Sequence, residues 1–208
     1  MLIPTRRRLN RMKVLRLLDE LENVEGPATS LYIQPDLPMA EIEKTLEAQL
    51  GPDTGTALPN IMETIARSKT GAVILWGEPE KYLVLPPFPI KEKLFSSGYD
   101  VEPLRSLLQQ EFTVALILVR LGAYAIGVFQ GEKLLSSKVG TGLVHSRHKK
   151  GGSSQARFAR HREKQIEQFL ERVCGHVRGH IEPHARSLDY LVYGGARTTI
   201  LSLRKQCP

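Results

Sequence analysis

Residues 112–139 read FTVALILVRLGAYAIGVFQGEKLLSSKV, and the fold of the second half of the chain turns on them. Three strand-like runs, Phe112 to Arg120, Ala123 to Gln130 and Lys133 to Val139, are separated by Leu121-Gly122 and Gly131-Glu132. Turn residues at that spacing predict an antiparallel meander. Beyond it, residues 140–154 are polar and glycine-rich, and a long helix is expected from about Gln155 to Val177. Ala159, Ile166, Phe169, Leu170, Val173 and Val177 form its apolar stripe. A strand from Leu188 to Tyr193 ends at Gly194-Gly195, and a last helix runs from about Ala196 to Lys205. A helix with one apolar stripe buries it against a sheet face, so this half is expected to be a layered sheet-and-helix α/β domain spanning 111–208. The chain-end helix is available for the opposite face.

Working back towards the N-terminus, residues 1–110 are expected to form a smaller α/β lobe. Leu9, Met12, Val14, Leu15, Leu17, Leu18 and Leu21 recur at helical spacing until Gly26-Pro27. Ser30 to Gln34 reads as a strand, Pro38 to Leu50 as a helix, Gly51 to Gly55 as a turn and Leu58 to Ser68 as a second helix. Ala72 to Trp76 and Tyr82 to Leu85 suggest a hairpin, Lys91 to Gly98 a loop, and Val101 to Gln110 a short helix.

Composition narrows the class. The chain has 208 residues, 41% of them hydrophobic and 25% charged, which is ordinary for a globular protein. No apolar run approaches the roughly 18–20 residues of a membrane helix. The basic stretch Met1 to Arg11 leads into residues that carry Lys13, Arg16, Asp19, Glu20 and Glu22, so no signal-peptide core forms and a cytoplasmic location is expected. Cys174 and Cys207 are too few for a disulfide framework and read as free thiols.

The net charge is +7 and the isoelectric point about 9.5, which favours a polyanionic partner. Arg147, Lys149, Lys150, Arg157, Arg160, Arg162 and Lys164 fall close together, with Glu163 the one acid among them. Within this segment Gly151 and Gly152 permit close backbone approach, Ser153 or Ser154 can cap a helix, and Gln155 follows. A glutamine amide both donates and accepts, but it is no general base near neutral pH. Catalysis built on it must position a water and stabilise an oxyanion, which suits an activated ester.

From Phe112 to about Thr199 the chain resembles the middle, peptidyl-tRNA-hydrolysing domain of archaeal and eukaryotic peptide-chain release factors. The residues that carry the likeness are His148-Lys149-Lys150-Gly151-Gly152, then Gln155-Ala156-Arg157-Phe158-Ala159-Arg160 and Arg162-Glu163. Ser153 and Ser154 stand between the glycines and the glutamine. That spacing is more similar to the Vms1-like release factors of ribosome-associated quality control. The resemblance implies a ribonuclease-H-like layer, action on the large ribosomal subunit, ribosomal RNA and peptidyl-tRNA, and stop-codon-independent release of stalled nascent chains. It assigns catalysis to Gln155 with Gly151 and Gly152, and RNA binding to Arg147, His148, Lys149, Lys150, Arg157 and Arg160.

Rival readings are a ribosome- or tRNA-binding factor without chemistry and a tRNA 3′-end nuclease. No cofactor or catalytic metal is expected. The carboxylates of the second lobe form no obvious cluster for a metal nuclease. His176, His180 and His184 imitate a zinc spacing beside Cys174, but Gly175, Gly179 and Pro183 weaken the helix that would hold such a site. Gly194-Gly195 is expected to end a strand, not to cradle phosphate, because no Lys-Ser or Lys-Thr completes a phosphate loop.

Overall fold

A computed structural model describes residues 5–51, 57–78, 80–144 and 155–208, with the side chains of 155 and 156 excepted. The turn expected at Gly51 to Gly55 lies largely outside these residues. The chain divides into two compact units, 1–110 and 111–208. The first is slightly the larger, contrary to the expectation of a smaller N-terminal lobe. Both are α/β. No helix among the described residues is long and apolar enough to cross a membrane.

In the first unit, α1 (Arg11–Glu22), β1 (Ala28–Ile33), α2 (Met39–Leu50), α3 (Leu58–Arg67), β2 (Ala72–Gly77), β3 (Lys81–Val84), β4 (Leu94–Ser97) and α4 (Glu102–Gln109) follow in order. The sheet order is β3-β2-β1-β4, antiparallel throughout. Strands β1 and β2 are central and covered on both faces, which is why 72–76 reads as a continuous apolar run instead of alternating. Leu31, Ile33, Ala72 and Ile74 pack with Ile42, Leu46 and Ile65 of α2 and α3. Tyr32, Val73 and Leu75 pack with Leu18, Leu21, Leu104 and Leu108 of α1 and α4. The result is a three-layer unit, with stretches of the helices stabilised by apolar burial on one side each.

The expected loop from Lys91 to Gly98 is corrected: Leu94–Ser97 is strand β4 on the edge of β1. Its four residues carry too little alternation to announce a strand. What holds them is tertiary: the buried Ser30 hydroxyl donates to Gly98 O at 2.7 Å and accepts from the Asp100 amide at 2.8 Å. Tyr32 donates its hydroxyl proton to Asp100 O, also at 2.7 Å.

In the second unit, β5 (Thr113–Arg120), β6 (Ala123–Gln130) and β7 (Lys133–Thr141) form the meander. Helix α5 (Gln155–Ile181) and a 3-10 turn at Glu182–His184 lead to β8 (Tyr190–Gly195) and α6 (Arg197–Gln206). The sheet order is β7-β6-β5-β8, with β8 parallel to β5 and the other pairs antiparallel. A three-stranded meander extended by a parallel strand that returns through a long helix agrees with the ribonuclease-H-like expectation. Gly195 ends β8 at φ +130°, where an added Cβ would run into Val119 O.

The core of this unit lies on one sheet face. Ala115, Ile117, Val119, Tyr124, Ile126 and Val128 meet Phe169, Leu170 and Val173 of α5 and Leu203 of α6. Helix α6 therefore lies beside α5 on the same side, and the expectation that it covers the other face is corrected. Thr199 and Leu203 are its buried positions, and burying them requires the core that α5 has already built. The opposite face, including Leu118, Val139 and Val192, stays exposed to a large degree. Cys174 and Cys207 are also corrected: they form a disulfide across 33 positions, with Cα atoms 5.5 Å apart. The packing of α6 on α5 brings together two thiols that the sequence separates.

Candidate functional site

Strand β7 ends at Thr141, Gly142 follows, and Val144 packs against the second unit's core. Residues 145–154 lie outside the described residues, so Arg147, His148, Lys149, Lys150, Gly151 and Gly152 are not placed, and neither is the side chain of Gln155. Gln155 is the first residue of α5.

The helix itself is informative. It has 27 residues, which at 1.5 Å per residue makes it roughly 40 Å long. Burial begins late: residues 157–161 are all exposed, Gln165 and Ile166 are partly covered, and Phe169 is the first fully buried side chain. Ala159, expected on the apolar stripe, is exposed because the helix overhangs the sheet before the stripe engages. The backbone of Gln155 lies about 21 Å along the axis from Phe169. The start of α5 is a projecting tip, carried by a helix that is anchored further along.

The tip has a polarity around its axis. At about 100° per residue, Arg157, Arg160, His161 and Lys164 share one side. Ile166, Phe169, Leu170 and Val173 occupy the other, against the sheet. Arg162 falls on the core side and is half-buried, so the arginines that looked equivalent in sequence separate into two sets. Lys164 joins the outer set; its signal in sequence was the i, i+3, i+7 spacing from Arg157. Among the described residues no ion pair engages Arg157, Arg160 or Lys164, although Glu163 and Glu167 are near in sequence.

No acid occupies the first turn of α5. The partial positive charge of a helix N-terminus and the outer cations therefore act in the same sense, towards an anion. Phe158 is 57% exposed on this tip.

Two of the three histidines that imitate a zinc spacing have structural partners. His180 Nδ1 and the Ser136 hydroxyl lie 2.7 Å apart, joining α5 to β7. His176 stacks on Tyr124 with ring centroids 5.5 Å apart. His184 sits in the 3-10 turn. Among the described residues no group of three or more His, Cys, Asp or Glu is arranged to hold a metal ion.

Comparison with known proteins adds a sequence relationship to this geometry. Residues 112–207 match the family model described as Actinobacteria/chloroflexi VLRF1 release factor. The chain is 25% identical over 191 residues to peptide chain release factor subunit 1 of Aeropyrum pernix, covering 79% of this chain and 51% of that protein. It is 26% identical over 212 residues to the protein of the same name from Archaeoglobus fulgidus, covering 88% of this chain and 52% of that protein. The chain thus spans about half the length of the curated relatives it matches. A crystal structure of archaeal translation termination factor aRF1 aligns with 95% of this chain and 60% of its own, at a TM-score of 0.40 and 18% identity. The family model and the archaeal relatives together support a release-factor relationship for this chain, with the family match lying in the second unit.

Proposed function

We propose that the second unit hydrolyses peptidyl-tRNA on the large ribosomal subunit and frees stalled nascent chains, in the manner of the Vms1-like branch of release factors. The observation that carries this reading is the projecting tip of α5, basic on its outer side and beginning at Gln155. A narrow, phosphate-lined site admits a slender element more readily than a sheet face, and the cations neutralise phosphates along the way.

In this reading Gln155 positions the attacking water, while Gly151 and Gly152 allow the loop to approach the ester. Arg147, His148, Lys149, Lys150, Arg157 and Arg160 hold ribosomal RNA or the tRNA acceptor end. The amide contributes by orientation and by stabilising the oxyanion, without taking the proton; effects of this kind are each worth roughly 3 kcal/mol when geometry is right. The reaction needs no cofactor, and its setting is the cytoplasm.

The test is release of a labelled nascent chain from purified large subunits that carry peptidyl-tRNA. Under this reading the native protein releases the chain and leaves an intact CCA end, and Gln155→Ala binds the subunit but releases at least about 100-fold more slowly. Salt-sensitive binding with no release by the native protein identifies a docking factor instead. Release with a shortened tRNA end identifies a nuclease.

A further inference from the structure

A second concentration of positive charge lies in the first unit, distant in sequence from residues 145–164. Thr5 to Asn10 belongs to no helix or strand and is exposed throughout, with Arg6, Arg7 and Arg8 in succession. Asn10 caps α1 by accepting from the Lys13 amide at 3.0 Å, and Arg11, Lys13 and Arg16 are exposed on the first half of that helix. No acidic residue precedes Asp19.

The acids of α1 are drawn elsewhere. Arg105 of α4, 16% exposed at its side chain, forms ion pairs with Asp19 and with Glu22, the latter at 2.7 Å. Glu20 lies within electrostatic reach of Tyr82. Among the described residues no ion pair engages Arg6, Arg7, Arg8, Arg11, Lys13 or Arg16. Cations in the first turn of a helix also work against its dipole, where an acid would help. The arrangement lowers the stability of the unit on its own and becomes favourable when phosphates neutralise it.

We propose that Arg6, Arg7, Arg8 and Arg11, continued by Lys13 and Arg16, form a docking surface for an RNA phosphate backbone. Five of the six cations are arginines, whose planar fork grips phosphate oxygens in pairs. An anionic membrane is the weaker fit. A helix that lies on lipid turns its apolar face to the acyl chains, whereas α1 buries Leu18 and Leu21 in the unit's core. No aromatic residue occurs between Thr5 and Leu31 to anchor at a lipid interface. The surface is independent of the release reaction, so the two readings stand or fall separately.

The experiment measures binding of the full chain to a fluorescein-labelled RNA hairpin over a range of salt, with native protein and the variant Arg6→Gln/Arg7→Gln/Arg8→Gln/Arg11→Gln. A triple variant, Arg6→Gln/Arg7→Gln/Arg8→Gln, leaves α1 untouched and guards against loss of fold. Losing four phosphate contacts lowers the slope of log K against log salt by roughly 3, about a 60-fold convergence of the two affinities over a fourfold rise in salt. The triple variant loses a slope of roughly 2 to 3. An unchanged slope in both variants overturns the proposal. So does intact RNA binding accompanied by lost binding to vesicles containing phosphatidylserine, which would assign the surface to a membrane.

Discussion

The ring of Phe169 occupies the space that a Cβ on residue 142 would need: a methyl built on Gly142 comes within 2.6 Å of the Phe169 Cδ2 atom. Phe169 is 2% exposed and enclosed by the core of the second unit, so it has little room to retreat. The Gly142 amide meanwhile donates to Gly122 O at 3.0 Å, fixing the chain where it leaves β7 for the candidate loop. Gly142→Ala is expected to destabilise the unit by about 1–3 kcal/mol through overpacking. A lowered urea midpoint at unchanged slope checks it; an unchanged midpoint contradicts the contact.

The disulfide between Cys174 and Cys207 holds the end of α6 to α5. Closing a loop over a sequence separation of 33 restricts the unfolded chain by at most about 4 kcal/mol. Cys207→Ser, or reductant added to the native protein, is expected to lower the melting temperature of the second unit. Native and Cys207→Ser proteins should melt together once reductant is present, and a persistent difference would point to packing instead of the bond.

Neighbouring residues of β5 separate the two sheet faces. Ile117 is fully buried beneath α5 and α6, and Leu118 is 44% exposed on the opposite face. Ile117→Ala is expected to cost about 2–5 kcal/mol, and Leu118→Ala about 1 kcal/mol or less. Equal losses in chemical denaturation would mean that the face carrying Leu118 is covered after all.

Alkaline stability has a named source in the first unit. The Tyr82 hydroxyl is pushed up from 10.0 to about 12, mainly by burial and then by its hydrogen bond to the Glu80 side chain. The folded state therefore holds this proton more tightly than the unfolded one. Its contribution is complete below about pH 10 and is lost as pH rises through about 12. Tyr32, also raised by burial, adds to the same trend. Tyr82→Phe should flatten the fall in stability between pH 10 and 12, and denaturant midpoints across that window test it.

The sequence was sufficient for whatever depends on local chemistry. The helical spacing of the leucines in α1, Pro38 opening α2 and the Leu121-Gly122 turn between β5 and β6 each announce an element through residues a few positions apart, and those elements lie where expected. The basic glycine-rich segment and its glutamine are likewise a linear run of residue types, though residues 145–154 lie outside the described residues. What depends on distant partners was not legible in the sequence. Strand β4 exists because Ser30 and Tyr32 hold residues 98–100, some 68 positions away. Helix α6 shares a face with α5 because burying Leu203 needs the core beneath α5, and that choice joins Cys174 to Cys207. The separation of Arg162 from Arg157 and Arg160 likewise follows from which side of α5 meets the sheet. Local propensity sets where an element starts and stops; which face is buried, and which residues meet across it, is decided by the apolar surface the whole unit removes from water.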